Sequence, residues 1–108
     1  MPRRGEIWWA RLDPTVGSEI KKTRPCLIIS STTINERRRT VVVVPLSSSS
    51  KVAPPLTVGV KCSGRQVAAV LDQVRAIAKE RLTQHIEDMP RQQLEAVESG
   101  LREILELY

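Results

Sequence analysis

Apolar and polar positions along this chain fall in short runs, most of them with the two-residue period of strands. Glu6 to Leu12 reads Glu-Ile-Trp-Trp-Ala-Arg-Leu. Ile7, Trp9 and Arg11 share one face, and Trp8, Ala10 and Leu12 the other. Each face carries a large apolar group, so the pattern predicts a strand covered on both sides and ended by Asp13-Pro14. A polar loop follows from Thr15 to Thr23. Pro25 then pushes the residues before it towards extended backbone and opens a second strand, Cys26 to Ser30. Thr40 to Leu46 is the strongest strand signal, because β-branched residues suit a pleated surface. Its unbroken apolar character predicts burial on both faces.

The remaining runs are shorter. Ser31 to Asn35 suits a helical turn, and Glu36 to Arg39 is a charged connection. Ser47 to Pro55 is a second long polar loop. Leu56, Val58, Val60 and Cys62 share one face of a strand, Ser63-Gly64-Arg65 is a turn, and Val67 to Leu71 is a buried strand running into Asp72 to Ile77. Lys79 to Arg81 marks a turn, and a last strand lies near His85 to Glu87. A helix begins around Asp88-Met89-Pro90, since proline suits the first helical turn. Leu94, Val97, Leu101, Ile104, Leu105 and Tyr108 recur at three-and-four spacing and form one apolar stripe. Gly100 weakens that helix or lets a neighbour approach it. Five or six strands without helical crossovers, closed by one helix, predict a mainly β fold with an antiparallel, barrel-like sheet. At 108 residues the chain reads as one domain spanning 1–108.

Charge adds a direction. Residues 1–65 hold twelve Lys and Arg against four Asp and Glu, whereas residues 66–108 hold five against eight, for a net +5 overall. A basic front portion suits either a polyanion-binding face or a solvated basic surface. Two isolated cysteines, Cys26 and Cys62, read as free thiols of a reducing compartment. The apolar runs are too short for a membrane span, and the N-terminal residues do not resemble a signal peptide. The expected location is the cytoplasm, with no membrane partner. His85 is the single histidine, and no set of three or four metal ligands assembles from the spacing, so neither metal nor cofactor is expected.

RNA supplies its own nucleophile. A 2′-hydroxyl aligned with the neighbouring phosphorus needs a base, a proton donor for the leaving 5′-oxygen, and positive charge for the developing oxyanion. Arg24 stands between a loop and a strand fixed by Pro25, where a guanidinium suits a phosphate, or closes the loop against a carboxylate such as Glu19. Ser47 leaves the best strand at the mouth of the second loop, with a hydroxyl suited to a phosphate oxygen, although a serine run also suits a plain flexible loop. Glu19 suits proton acceptance, a base edge or simple solvation. Lys21 and Lys22 suit electrostatic steering or solubility. Asp72-Gln73-Val74-Arg75, polar after a buried run, either lines the cavity of Arg24 or marks an exposed strand end. Trp8 and Trp9 suit base stacking, but in a strand they fit the core or a dimer interface better. With two tryptophans, one tyrosine and no phenylalanine, there is no broad stacking platform.

Six short motifs occur in order: Arg4-Gly5-Glu6-Ile7-Trp8, Leu12-Asp13-Pro14, Gly17-Ser18-Glu19, Lys22-Thr23-Arg24-Pro25, Val44-Pro45-Leu46-Ser47, and Leu71-Asp72-Gln73-Val74-Arg75 with Arg81-Leu82. Together they resemble the MazF/PemK family of toxin endoribonucleases over essentially the whole chain. The resemblance implies an SH3-like antiparallel β-barrel of the plasmid-maintenance toxin type with a C-terminal α-helix, working as a homodimer. It implies metal-independent cleavage of single-stranded RNA at a short sequence, leaving a 2′,3′-cyclic phosphate and a 5′-hydroxyl, and neutralisation by a cognate antitoxin. By position it makes Arg24 the residue acting on the scissile phosphate and Ser47 the catalytic hydroxyl, with Ser48 as a stand-in. The resemblance places Glu19 and Gln73 in segments that hold RNA bases. From its own chemistry Arg24, always protonated, suits an oxyanion clamp, and the general base is open, with Glu19 the candidate. Gly17, Ser18, Lys21, Lys22, Thr23, Ser48, Asp72, Gln73 and Arg75 are the expected RNA-binding residues. Two other classes remain open: a toxin of this fold that poisons DNA gyrase without cleaving RNA, and a non-catalytic RNA-binding module.

Overall fold

The computed structural model describes residues 1–14 and 16–107. Seven strands form one antiparallel sheet, curled around the long third strand. They are β1 (Glu6–Arg11), β2 (Thr23–Ile28), β3 (Thr40–Ser47), β4 (Thr57–Cys62), β5 (Arg65–Val70), β6 (Arg75–Ala78) and β7 (Leu82–Asp88). A short helix, α1 (Thr32–Arg37), joins β2 to β3, and α2 (Arg91–Leu105) closes the chain. The strand order is β4-β5-β3-β2-β1-β7, with β6 added on β3.

The curl follows from what β3 does along one edge. Leu46 and Ser47 pair with Ala69 and Ala68 of β5, while Thr40 to Val43 pair with Ala78 to Arg75 of β6. A single 3-10 turn at Leu71–Gln73 carries the chain from β5 to β6 along that edge. β3 therefore serves two segments laid end to end along it, both antiparallel, and the sheet bends at the turn that breaks the ladder between them. The resulting half-closed barrel with a terminal helix is the architecture expected from the strand pattern.

Both faces of the sheet are buried, as the valine run predicts. Ile7, Leu27, Val44 and Leu46 pack with Met89, Val97 and Leu101 beneath α2. Ala10, Leu12, Cys26, Ile28, Val41, Val43 and Ile77 form a second cluster on the other face. Trp8, Ile20 and Leu82 cover the rim of that second cluster. At Cys62 and Arg65 the β4–β5 hairpin is closed by Ser63 and Gly64, with φ of 53° and 76°. Two consecutive positive φ values are what a two-residue turn matched to strand twist requires, and Gly64 adopts one without steric cost.

Several boundaries differ from the sequence reading. Strands number seven, because Leu71–Gln73 splits one expected segment in two. The second strand begins at Thr23, so Pro25 lies inside it, paired with Trp9. Leu105 is 52% exposed and stands off the packed stripe of α2. Tyr108, placed on that stripe, and Thr15, at the start of the first loop, lie outside the described residues. Among the described residues, no helix is long and apolar enough to cross a membrane.

Candidate nucleic-acid interface

Ile7 and Trp9 share a face of β1, but α2 covers only the Ile7 end. Beyond the helix that face opens into a cleft of about 320 Å³, lined by Trp9, Thr23, Arg24, Pro25, Leu46, Ser48, Cys62, Ser63, Arg65 and Val67. Three pairings assemble it. Trp9 lies across from Pro25 and Ala10 from Arg24 on the β1–β2 ladder. Cys26 pairs with Pro45, which brings the end of β3 alongside. The tight Ser63-Gly64 turn then folds Arg65 back beside Cys62. The walls are apolar at Pro25, Leu46 and Val67, with cationic and hydroxyl groups around them.

Arg24 is half-buried, and its Nε donates to the Lys21 carbonyl at 3.3 Å. Among the described residues it forms no ion pair. Glu19 is turned elsewhere, its carboxylate accepting the Val16 N–H at 2.7 Å. The guanidinium therefore lines the cleft without a carboxylate to neutralise it.

Strand alternation separates the two serines. Ser47 is 5% exposed. Its Oγ accepts from the Ser49 N–H at 3.3 Å and from the Ser50 hydroxyl at 3.1 Å, with Ser49 Oγ 3.2 Å away. That hydroxyl organises the start of the serine loop. Ser48, one residue on, falls on the Leu46 face and lines the cleft, exposed.

A second, shallower cavity of about 460 Å³ is lined by Arg11, Asp13, Lys22, Thr23 and Arg81. Thr23 lines both, so the two adjoin there, and this track carries Arg24, Arg65, Arg11, Lys22 and Arg81 together with one carboxylate, Asp13. Arg81 Nη1 donates to the carbonyls of Arg11, at 3.0 Å, and Asp13, which shapes this part of the track.

Thus Thr23, Arg24 and Ser48 meet in the cleft, and Lys22 lies next to it. Gly17, Ser18, Glu19 and Lys21 are exposed on the β1–β2 loop, outside the lining of either cavity. Gln73 accepts the Ile20 N–H at 2.7 Å and so ties that loop to the 3-10 turn. Asp72 is exposed on the same turn. Arg75 points along the Val43 and Ile77 face, and its Nη1 is buried without a hydrogen-bond partner among the described residues. Nearby Cys26 is fully buried, and burial pushes its thiol up to about 12, against the opposing influence of Arg75. Sequence reasoning missed Trp9, Arg65 and Ser63 as lining residues. Alternation on β1 placed Trp9 opposite Trp8, but it does not tell which end of that face stays open.

The fold also gathers a grouping that spacing did not reveal. Donor atoms of Glu6, His85 and Asp88 lie within 4.8 Å of one another across the β1–β7 ladder. His85 Nε2 is 3.0 Å from Asp88 Oδ1 and 3.8 Å from Glu6 Oε2. These residues are separate from the lining of the cleft: His85 and Asp88 are hydrogen-bonded within β7, and Glu6 approaches the imidazole from β1.

Comparison with known proteins places this geometry. The profile of the PemK-like, MazF-like toxins of type II toxin–antitoxin systems matches residues 3–105. Endoribonuclease MazF9 of Mycobacterium tuberculosis is 35% identical, over 100% of this chain and 99% of its own. The crystal structure of MazF from Deinococcus radiodurans superposes with a TM-score of 0.87 at 23% identity, covering 98% of this chain and 97% of that one. A mycobacterial endoribonuclease in complex with its cognate antitoxin gives 0.83 at 20% identity, covering 100% and 98%. At these identities the two structures speak for the fold alone.

Proposed function

The chain belongs to the PemK-like, MazF-like toxin family of type II toxin–antitoxin systems, and from that membership we propose that it is an endoribonuclease toxin whose cleft cuts single-stranded RNA. The observation that carries the reading is the pairing of Arg24 with Ser48 in a cationic cleft that has room for one nucleotide unit. The lining contains no carboxylate and no imidazole. Its own chemistry is therefore charge stabilisation and hydrogen bonding, which suits a substrate that brings its own nucleophile.

In the proposed reaction the 2′-oxygen attacks the adjacent phosphorus and the bond to the 5′-oxygen breaks. The products are a 2′,3′-cyclic phosphate and a 5′-hydroxyl, and no metal ion is required. The 2′-proton leaves to a base, and the departing 5′-oxygen takes up a proton. Arg24 clamps the non-bridging oxygens, where charge grows in the transition state. Ser48 donates a hydrogen bond to the same phosphate, with Ser47 holding the loop beneath it. Glu19 is the carboxylate nearest Arg24 in sequence and the proposed base, a role that requires it to exchange its bond to Val16. Lys21, Lys22, Arg11 and Arg81 draw the strand along the track.

The single domain acts in the cytoplasm as a homodimer, on short sequence motifs. A cognate antitoxin presents an acidic segment that folds on binding, since a cationic cleft attracts such a peptide as readily as RNA. That segment competes with RNA for the cleft. The test is incubation of the purified protein with a long RNA in EDTA, with mapping of the 5′ ends. Discrete cleavage that Arg24→Ala abolishes supports the proposal. Intact RNA with the unaltered protein overturns it.

A further inference from the structure

The two adjacent tryptophans have opposite fates. Trp8 is committed to the fold: its Nε1 donates to Glu6 Oε1 at 3.0 Å, and its ring stacks on His85 with centroids 5.5 Å apart and planes 25° apart. Trp9 has no such engagement. It is 38% exposed. Its backbone carbonyl accepts from the Thr83 hydroxyl at 3.3 Å, but among the described residues its indole N–H makes no hydrogen bond. Trp9 pairs with Pro25 across the β1–β2 ladder, and its side chain shares the cleft lining with Pro25, Leu46, Val67, Arg24 and Arg65.

A fitting ligand has flat apolar faces, a polar edge and an anion attached close by. The faces meet the indole and the apolar wall, the edge meets Arg65, Ser63 and Ser48, and the anion meets Arg24. An unpaired nucleobase with its phosphate has all three. Stacking on an aromatic ring and hydrogen bonding at the base edge is how proteins hold single-stranded RNA. We propose that Trp9 is a specificity-determining residue: it stacks one base directly beside the phosphate held by Arg24, and Arg65 selects that base through its edge. The inference rests on the endoribonuclease reading and adds to it which base-holding side chains this chain uses.

The experiment has two arms. In the first, cleavage sites on a long RNA are mapped for the unaltered protein, Trp9→Ala, Trp9→Phe and Arg65→Ala. Trp9→Ala and Arg65→Ala lose base preference at one and the same position flanking the cut, while the end groups of the products stay the same. KM for Trp9→Ala rises about 5- to 150-fold, the range expected for one lost base stack, and Trp9→Phe keeps most of the affinity. An unchanged motif with an unchanged KM for Trp9→Ala overturns the proposal.

In the second arm, 2′-O-methyl RNA hexamers of A, C, G or U, which lack the nucleophile, are titrated while tryptophan emission is followed. Trp8→Phe, which retains only Trp9, is quenched by at least one hexamer, and Trp9→Phe, which retains only Trp8, is not. If Trp8→Phe does not fold, the difference between the unaltered protein and Trp9→Phe reports the same signal. Quenching confined to Trp8, or quenching of Trp9 by none of the hexamers, overturns the proposal. Should the unaltered protein leave all RNA intact, the endoribonuclease reading fails by itself, and the hexamer titration still decides whether Trp9 binds a base.

Discussion

Gln73 Oε1 accepts the Ile20 N–H at 2.7 Å, and this bond fastens the middle of the β1–β2 loop to the turn where the sheet bends. The loop has few other internal ties: Glu19 bonds Val16 in both directions, and the Leu12 N–H reaches the Lys22 carbonyl at 2.9 Å. Gln73→Ala therefore removes the main link from the loop to the sheet, a hydrogen bond of about 0.5–1.5 kcal/mol. Trypsin should cut at Lys21 and Lys22 several-fold faster in this variant. Gln73→Glu keeps an acceptor and should restore protection. If Gln73 instead read a base directly, Gln73→Ala would shift the cleavage motif and leave the tryptic rate unchanged.

The two serines give opposite expectations. Ser48→Ala removes a hydroxyl from the cleft lining that makes no hydrogen bond among the described residues, and should lower kcat about 100-fold with little change in melting temperature. Ser47→Ala removes an acceptor shared by Ser49 and Ser50, and should cost about 1 kcal/mol of stability. That corresponds to a fall in Tm of roughly 4–8 °C, with kcat held within a few-fold. Single-turnover cleavage and thermal unfolding of both variants measure the contrast. The reverse pattern would return the catalytic hydroxyl to Ser47.

How far the sequence foretold this site depends on the scale. The valine run of β3 announced burial on both faces, because no other arrangement hides four consecutive apolar side chains of a strand. The Ser63-Gly64 turn and the packed part of the α2 stripe were legible for similarly local reasons. Which serine faces the cleft was not, since one residue of register exchanges the two faces of a strand. Arg65 was also invisible: it joins Arg24 in one cleft lining only through the pairing of β4 with β5 and of β5 with β3. Trp9 was read as covered because alternation reports which face a residue occupies and says nothing about how far α2 extends over it. Gln73 was recognised as unusual for its position, but its partner, a backbone N–H in a distant loop, leaves no trace in side-chain pattern.

Gly100 shows packing overriding helix propensity. A Cβ at this position would collide with Leu71 Cδ1 and stand 3.4 Å from the Pro55 carbonyl oxygen. Leu71 is fully buried, so its side chain can give way only by displacing the neighbours packed around it. Gly100→Ala gains about 0.5–1 kcal/mol in helix formation but incurs an overpacking cost of about 1–3 kcal/mol. The net expectation is a loss of about 1 kcal/mol, seen as a lower urea midpoint. In a Leu71→Ala background the collision disappears, and the same substitution should become neutral or stabilising. Additive effects in the double mutant would show that Leu71 is not the obstacle.

Acid sensitivity should trace in part to Glu6. Burial pushes this carboxyl up, but the Arg3 N–H at 2.9 Å, the Trp8 indole at 3.0 Å and neighbouring His85 together hold it below its ordinary 4.5. The folded state then binds the proton less readily than the unfolded chain. Above pH 4.5 the carboxylate is ionised in both states and its contribution to stability is fully present. As pH falls, the unfolded chain takes up the proton first, and the contribution disappears as the folded value is passed. Glu6→Gln should therefore be less stable than the unaltered protein at pH 7, and its stability should vary less with pH between about 5 and 3. Urea midpoints across that interval measure the difference. Two parallel curves would mean that Glu6 carries no protonation-linked stability, leaving its bonds to Arg3 and Trp8 to act through geometry alone.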